Sequence, residues 1–283
     1  GPHGPLTSSV GLGPKPSLAD VFRLHETADA RDLLHKAPQV GGSAPHLLIR
    51  GESGSGKTMV ADLVHNRLRR MAGSRDLPMV TVNCAALSER NYEHELFGCA
   101  AGAYTGIDRP VVGSLARASH GLAFLDEVGD LDPAVQRALL VFLQDGVVRP
   151  FQIEPFPGHV SVIAATNRDV PHMIERQQFR NDLNQRFIYQ AEIPPLRNLE
   201  PAERARLVDF TAVSPQANSA TDGLAVTHIA QDAMAKLLAW DYADGNFREL
   251  QGVVHTGLAA ARRRGSKVLG LRDLTFTEPR SVP

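Results

Sequence analysis

Only two of the 283 residues are cysteine, Cys84 and Cys99, and no Cys-x-x-Cys occurs. Neither a disulfide framework nor a cysteine-bound zinc can be built from them, and cysteine this sparse suits a reducing, cytoplasmic setting. No apolar run approaches the roughly 18 residues of a membrane span, and no signal peptide is recognisable. An excess of one charge is lacking too: 30 Lys plus Arg stand against 31 Asp plus Glu, a net of −1. Bulk electrostatics therefore give no ground for binding nucleic acid or a membrane. Internal repeats are absent, as are low-complexity tracts beyond the N-terminal tail. What remains, 43% hydrophobic and 22% charged, is the composition of a folded chain with room for one large domain or a domain plus a smaller companion. The opening Gly1-Pro2-His3-Gly4-Pro5 replaces an initiating Met and reads as a cloning scar, so residues 1–9 are set aside as remnant or linker.

Pro45 to Arg50 is a short apolar run followed by a Gly-rich turn, which predicts a buried strand. From Met59, residues Val60, Leu63, Val64, Leu68 and Met71 recur at three- and four-residue steps and predict a helix of about four turns. Residues 79–82, 121–125 and 160–165 repeat the buried-strand signal with helical patterns between, which predicts a parallel sheet wrapped by helices. One intervening helix is well marked, with Asp132 as cap, Pro133 in its first turn, an apolar face of Val135, Ala138, Leu139, Phe142 and Leu143, and Gly146 as stop. Beyond Pro194-Pro195 strand-like runs largely vanish, and a domain boundary is expected near Leu199. There Phe247, Leu250, Val253, Val254, Leu258 and Ala261 form a helical stripe, capped by Asn246 and stopped by Gly265. The basic run Arg262-Arg263-Arg264 could form a phosphate-binding patch, but cations at a helix C-terminus also complement its dipole and need no ligand, which is the favoured reading.

Gly51-Glu52-Ser53-Gly54-Ser55-Gly56-Lys57-Thr58 fits Gly-x-x-x-x-Gly-Lys-[Ser/Thr] and lies between a predicted strand and helix. The glycines let successive N–H groups turn inward around phosphate oxygens at a helix N-terminus. Lys57 would neutralise the β- and γ-phosphates, and the Thr58 hydroxyl has the reach for a Mg²⁺ ion bridging them. Asp126-Glu127 places two carboxylates where the strand 122–125 ends, at the edge where open α/β sheets hold ligands. Asp126 is assigned to the metal and Glu127 to the attacking water, which separates hydrolysis from mere nucleotide binding. A guanine-specific switch is disfavoured, because Thr166-Asn167-Arg168-Asp169 is not the Asn-Lys-x-Asp signature.

Through these residues the chain resembles the AAA+ ATPases, and among them the central domain of the bacterial enhancer-binding proteins that activate sigma-54 RNA polymerase. The ordered blocks Val82-Asn83-Cys84-Ala85-Ala86-Leu87, Glu95-Leu96-Phe97-Gly98, Phe124 to Leu131 and Ile163 to Asp169 carry the likeness along nearly the whole chain. The resemblance implies an α/β core over 10–198, with a parallel five-stranded sheet flanked by helices, and a small α-helical lid over 199–283. It implies that Asn83 hydrogen-bonds Glu127 until a neighbouring subunit is ready, and that Thr166 and Asn167 sense the γ-phosphate. Phe179-Arg180-Asn181-Asp182-Leu183-Asn184-Gln185-Arg186 resembles the family's Phe-Arg-x-Asp-Leu-x-x-Arg, whose arginines enter the next subunit's nucleotide site. Arg180 and Arg186 are accordingly expected to act in trans, within a ring, most simply a hexamer. Gly245 to Leu250 matches the second sensor, with Arg248 contacting nucleotide. Gly102-Ala103-Tyr104-Thr105-Gly106-Ile107 resembles Gly-Ala-Phe-Thr-Gly-Ala, the loop that grips sigma-54. Tyr104 replaces Phe and Ile107 replaces Ala; Ala243-Asp244 stands where the family has Trp-Pro, and Thr58 stands where these activators often have Glu. These departures leave open a ring coupled to another effector, in defence or stress, while an ATP-gated scaffold with little turnover is a further alternative. No helix-turn-helix is recognisable, so sequence-specific DNA binding is not expected of this stretch.

Overall fold

Leu47, Leu48 and Ile49 are fully buried and begin strand β1 (Leu47–Gly51). In the computed structural model, which describes residues 9–12, 46–71, 77–214, 217–218 and 225–276, four further strands lie parallel to it. These are β2 (Met79–Asn83), β3 (Leu122–Asp126), β4 (Ser161–Thr166) and β5 (Tyr189–Ile193), in the order β5-β1-β4-β3-β2. Strand β4 is buried at every position, as a strand covered on both faces must be, whereas the edge strand β2 is only partly covered. Register decides what the sheet can do: Asn83 lies opposite Asp126, Leu125 opposite Ala164, and Arg50 opposite Thr166. Strands β1 to β4 therefore present their C-terminal residues along one edge.

Helix α1 (Lys57–Met71) follows the glycine turn directly and starts two residues before the predicted Met59. An apolar stripe is blind to Lys57 and Thr58, which belong to the helix without belonging to its buried face. Helix α2 (Pro133–Asp145) begins and ends where expected, with Pro133 in its first turn and Gly146 left-handed at φ 69°. Its buried Val135, Leu139, Phe142 and Leu143 join Ala123, Leu125, Phe179, Leu183 and Phe187 in one core. Each of the larger side chains stabilises the fold by about 1.5–3 kcal/mol through burial. The Asp132 side chain makes no cap bond; its Oδ2 instead accepts the Glu89 N–H at 3.2 Å, tying the helix start to a distant loop.

Contacts divide the described residues into two units, one of 46–52 and 57–193 and a smaller one of 9–12, 53–56 and 194–276. The division falls at Pro194, where the sequence suggests Leu199, and the strand Ser9–Gly11 goes with the smaller unit. That unit holds α3 (Pro201–Ala212), α4 (Gln231–Ala239) and α5 (Asn246–Arg263). Helix α5 buries the predicted stripe. Two expectations need correction there. Asn246 is not the cap: Gly245 takes that position, and buried Asn246, at φ 54°, accepts the Leu196 N–H on Oδ1 at 3.0 Å. Strands do not vanish either, since Ser9–Gly11, His228–Ala230 and Val268–Leu269 form a small sheet whose members are too short to show any periodicity. The loop expected at 214–222 lies largely outside the described residues. Arg264 pairs through Nε with the Asp273 carboxylate at 2.8 Å, so this member of the basic run is engaged within the unit. Cys84 and Cys99 are buried free thiols, and among the described residues no helix is long and apolar enough to cross a membrane.

Candidate active site

Gly51 closes β1 and the chain turns through Glu52 to Gly56 into α1. Gly54 and Gly56 take φ of +74° and +102°, the region where a side chain is strained, and a Cβ on Gly54 would lie 2.2 Å from the Gly245 carbonyl oxygen. The Gly54 carbonyl accepts the Arg248 N–H at 3.1 Å, both residues belonging to the smaller unit. Ser55 is 7% exposed, and its Oγ has no hydrogen-bond partner among the described residues. A buried hydroxyl in that state costs about 1–3 kcal/mol unless a ligand satisfies it. Lys57 is 6% exposed and donates from Nζ to the carbonyls of Gly51 at 2.9 Å and Glu52 at 3.1 Å. Its charge is thereby aimed along its own loop, while Thr58 is exposed on the first turn of α1.

The parallel register gathers the remaining candidates at the strand ends. Asp126 ends β3 with Glu127 directly after it, Asn83 ends the neighbouring β2, and Thr166 ends β4 on the other side with Asn167 directly after it. Glu127 sits in the left-handed region at φ 55°, a conformation that costs a non-glycine residue about 1 kcal/mol or more. Its Oε2 accepts the Asn167 N–H at 3.1 Å. Asn83 accepts the Ala85 N–H at 3.1 Å on its own Oδ1, and Asp126 Oδ1 accepts the Glu127 N–H at 3.1 Å. Thr166 is fully buried and its Oγ1 accepts the Arg168 N–H at 3.0 Å. One contact escaped the sequence reading: Arg168 donates to Asp130 Oδ1 from Nε at 2.9 Å and Nη2 at 2.6 Å, bracing the segment after Glu127 against the segment after Asn167. Only the opposite charges of those two residues hint at it.

Arg180 precedes the short helix Asn181–Asn184, pinned by buried Phe179 and Leu183. Its guanidinium forms a two-pronged pair with Asp182, Nε to Oδ1 at 2.9 Å and Nη2 to Oδ2 at 2.7 Å, which raises the arginine pKa and lowers that of the aspartate. Arg180, Arg186 and Arg248 all expose their side chains. Exposure is what Arg180 and Arg186 require to act on another subunit, whereas the Arg248 backbone lies against the glycine turn through its bond to the Gly54 carbonyl. The segment 102–107 is folded back on itself, and Tyr104 reaches from it to Glu93 and Phe151.

A buried lysine on a glycine turn and acidic, amide and hydroxyl side chains aligned on the ends of parallel strands define a P-loop nucleoside triphosphatase fold. Residues 24–192 match the family described as the Sigma-54 interaction domain. The DNA-binding transcriptional activator HyfR of Escherichia coli K12 is 35% identical over 260 residues, covering 91% of this chain and 36% of HyfR. The Sigma54-dependent transcriptional regulator SfnR of Pseudomonas fluorescens is 37% identical over 257 residues, covering 89% of this chain and 68% of SfnR. The crystal structure of NtrX from Brucella abortus in complex with ATP matches with a TM-score of 0.69 and 26% identity, covering 93% of this chain and 56% of that one. The chain belongs to the sigma-54 interaction domain family, the AAA+ ATPase domain of bacterial enhancer-binding proteins. It spans 36% of HyfR and 43% of another curated relative, the regulatory protein LuxO of Vibrio cholerae.

Proposed function

We propose that this domain hydrolyses ATP as one subunit of a ring, most simply a hexamer, and uses the cycle to drive the 102–107 loop against sigma-54 RNA polymerase in the cytoplasm. The observation that carries the reading is the register of β1 to β4, which brings Gly51, Asn83, Asp126, Glu127, Thr166 and Asn167 to one edge of one sheet. The glycine turn with its unsatisfied Ser55 hydroxyl supports phosphate binding there. Magnesium keeps several waters and asks only one or two protein oxygens beside the phosphates, so Thr58 and Asp126 fit it. When bound, that ion neutralises phosphate charge.

The chain's own residues supply the rest. Lys57 would exchange its two loop carbonyls for phosphate oxygens, and Glu127 would orient the attacking water. Its bond from the Asn167 amide ties that carboxylate to the residue expected to sense the γ-phosphate, and Asn83, one strand away, is the second partner we assign to it. Arg180 and Arg186 are the groups we assign to the neighbour's site, with Arg248 as the lid contact. A guanidinium supplied in trans accelerates phosphoryl transfer by about 10³- to 10⁵-fold, or roughly 4–7 kcal/mol. Steady-state turnover measured from submicromolar to tens of micromolar chain tests the proposal. Specific activity should climb with concentration and fall at least about 100-fold in Glu127→Gln with ATP still bound; a flat, near-zero series would leave an ATP-gated scaffold instead.

The engagement of Tyr104 by the body of the domain favours one second reading, a motor of the same family with a different client. Sigma-54-dependent open-complex formation separates the two, since that alternative turns over ATP without melting a promoter.

A further inference from the structure

The loop 102–107 keeps its shape through its own backbone. Gly102 N–H donates to the Ile107 carbonyl at 2.7 Å, Ile107 N–H to the Tyr104 carbonyl at 3.1 Å, and Ala103 N–H to the Ala100 carbonyl at 3.3 Å. None of these bonds fixes the loop to the body of the domain. Tyr104 does that. Its ring lies 5.3 Å from Phe151 at 36° and 5.5 Å from His94 at 55°, and its hydroxyl donates to Glu93 Oε2. The other Glu93 oxygen accepts the Tyr92 hydroxyl at 3.3 Å. Glu93 opens the turn Glu93–Phe97, which is rooted in the core by buried Leu96 and Phe97. Phe151 is held in turn by the loop's root, accepting the Ala100 N–H at 3.0 Å and donating its own N–H to Gly98 at 2.9 Å. The apolar shelf is thus carried by the loop root, whereas the carboxylate is carried by the core.

We propose that Glu93 is a positioning residue that tethers the partner-contacting loop in its resting place through the Tyr104 hydroxyl. The proposal rests on the reading of this loop as the one that contacts the partner. A hydrogen bond to an ionised acceptor is roughly twice as strong as one between neutral groups. Tyr104 remains a donor throughout the physiological range, because burial first and the Glu93 carboxylate second push its pKa up to about 12. A phenylalanine at 104 would keep both ring contacts and lose the tether, so the hydroxyl gives this chain a hold on the loop that a Phe-bearing loop lacks. The loop must release Glu93 before it can be raised.

Amide hydrogen exchange in the full chain, read by mass spectrometry on peptides covering 98–110, tests the tether without reference to any partner. Tyr104→Phe and Glu93→Ala should each speed exchange of these peptides, which include the Ala100 amide bonded to Phe151, by about five- to tenfold. The double variant should exchange no faster than either single one, and Glu93→Gln, which retains an acceptor, should restore slow exchange. Peptides from β3 and α2 should be unaffected, which shows an intact fold; if Glu93→Ala does not fold, Tyr104→Phe decides alone. Exchange in Tyr104→Phe within twofold of the parent chain, or effects of the two single variants that multiply, would overturn the proposal. Faster exchange in a chain that never engages sigma-54 would retire the partner reading and leave the tether standing.

Discussion

Lys57 reaches back to two carbonyls of its own loop, so replacing it removes a phosphate-neutralising charge and a brace on the turn together. Lys57→Ala should weaken ATP binding about 10- to 100-fold, as expected for charged hydrogen bonds of about 1.5–3 kcal/mol, measured by titration with a fluorescent nucleotide. His46 poses a different test. Its Nδ1 accepts the Val162 N–H at 3.2 Å, and burial, opposed only by a bond to the Leu143 backbone, lowers its pKa to about 4. The unfolded chain takes up that proton near 6.5 and the folded chain does not. Stability is therefore full above pH 6.5 and falls as pH drops toward 4, by about 3 kcal/mol from this residue. Urea midpoints should decline over that window in the parent chain and decline less in His46→Asn. At this scale the motif residues were legible, because phosphate chemistry restricts residue type and spacing. The left-handed backbone of Glu127 and the amide bonded to it were not, since nothing in a glutamate announces positive φ.

Elements were legible in proportion to their length. The stripe of α2 and the apolar runs of β1, β3 and β4 carry the signal of many buried side chains acting together, and the structure follows them to within a residue or two. Strands of two or three residues in the smaller unit carry no period at all, so Ser9–Gly11 and its partners could be seen only once folded. Asn246 went astray for a related reason: its residue type fits a cap, but its side chain is spent on the Leu196 amide 50 positions away in sequence. The weight carried by α2 can be measured directly. Leu139 has no exposed surface, and Leu139→Ala should cost about 2–5 kcal/mol, read as a lowered denaturant midpoint with an unchanged slope.

For the whole molecule, the decisive question is whether one chain completes another's site. Arg180 and Glu127 stand on different segments of the larger unit, and Arg180 is engaged by Asp182 across exposed surface. A solvent-exposed pair of this kind contributes little to stability and is readily exchanged for a better anion. Arg180→Ala and Glu127→Gln chains, each inactive alone, should regain some turnover when mixed, because mixed rings contain junctions with both intact groups. Mixtures as inactive as their components at every ratio would show that the groups are not shared. None of this assembly was readable from composition or periodicity; it came from resemblance, since the surface of one chain records its partner only as unburied charge.

The left-handed backbone at Glu127 bears on how such a domain can change over generations. Glycine or asparagine would occupy that position with less strain, and either would remove the carboxylate that orients water. Drift at this site toward an inert, nucleotide-holding ring is therefore opposed by folding stability only through the bond that the carboxylate accepts from the Asn167 amide. Selection for turnover is the stronger force keeping a glutamate there, which makes the identity of residue 127 a better record of whether a lineage still works as a motor than the integrity of its fold.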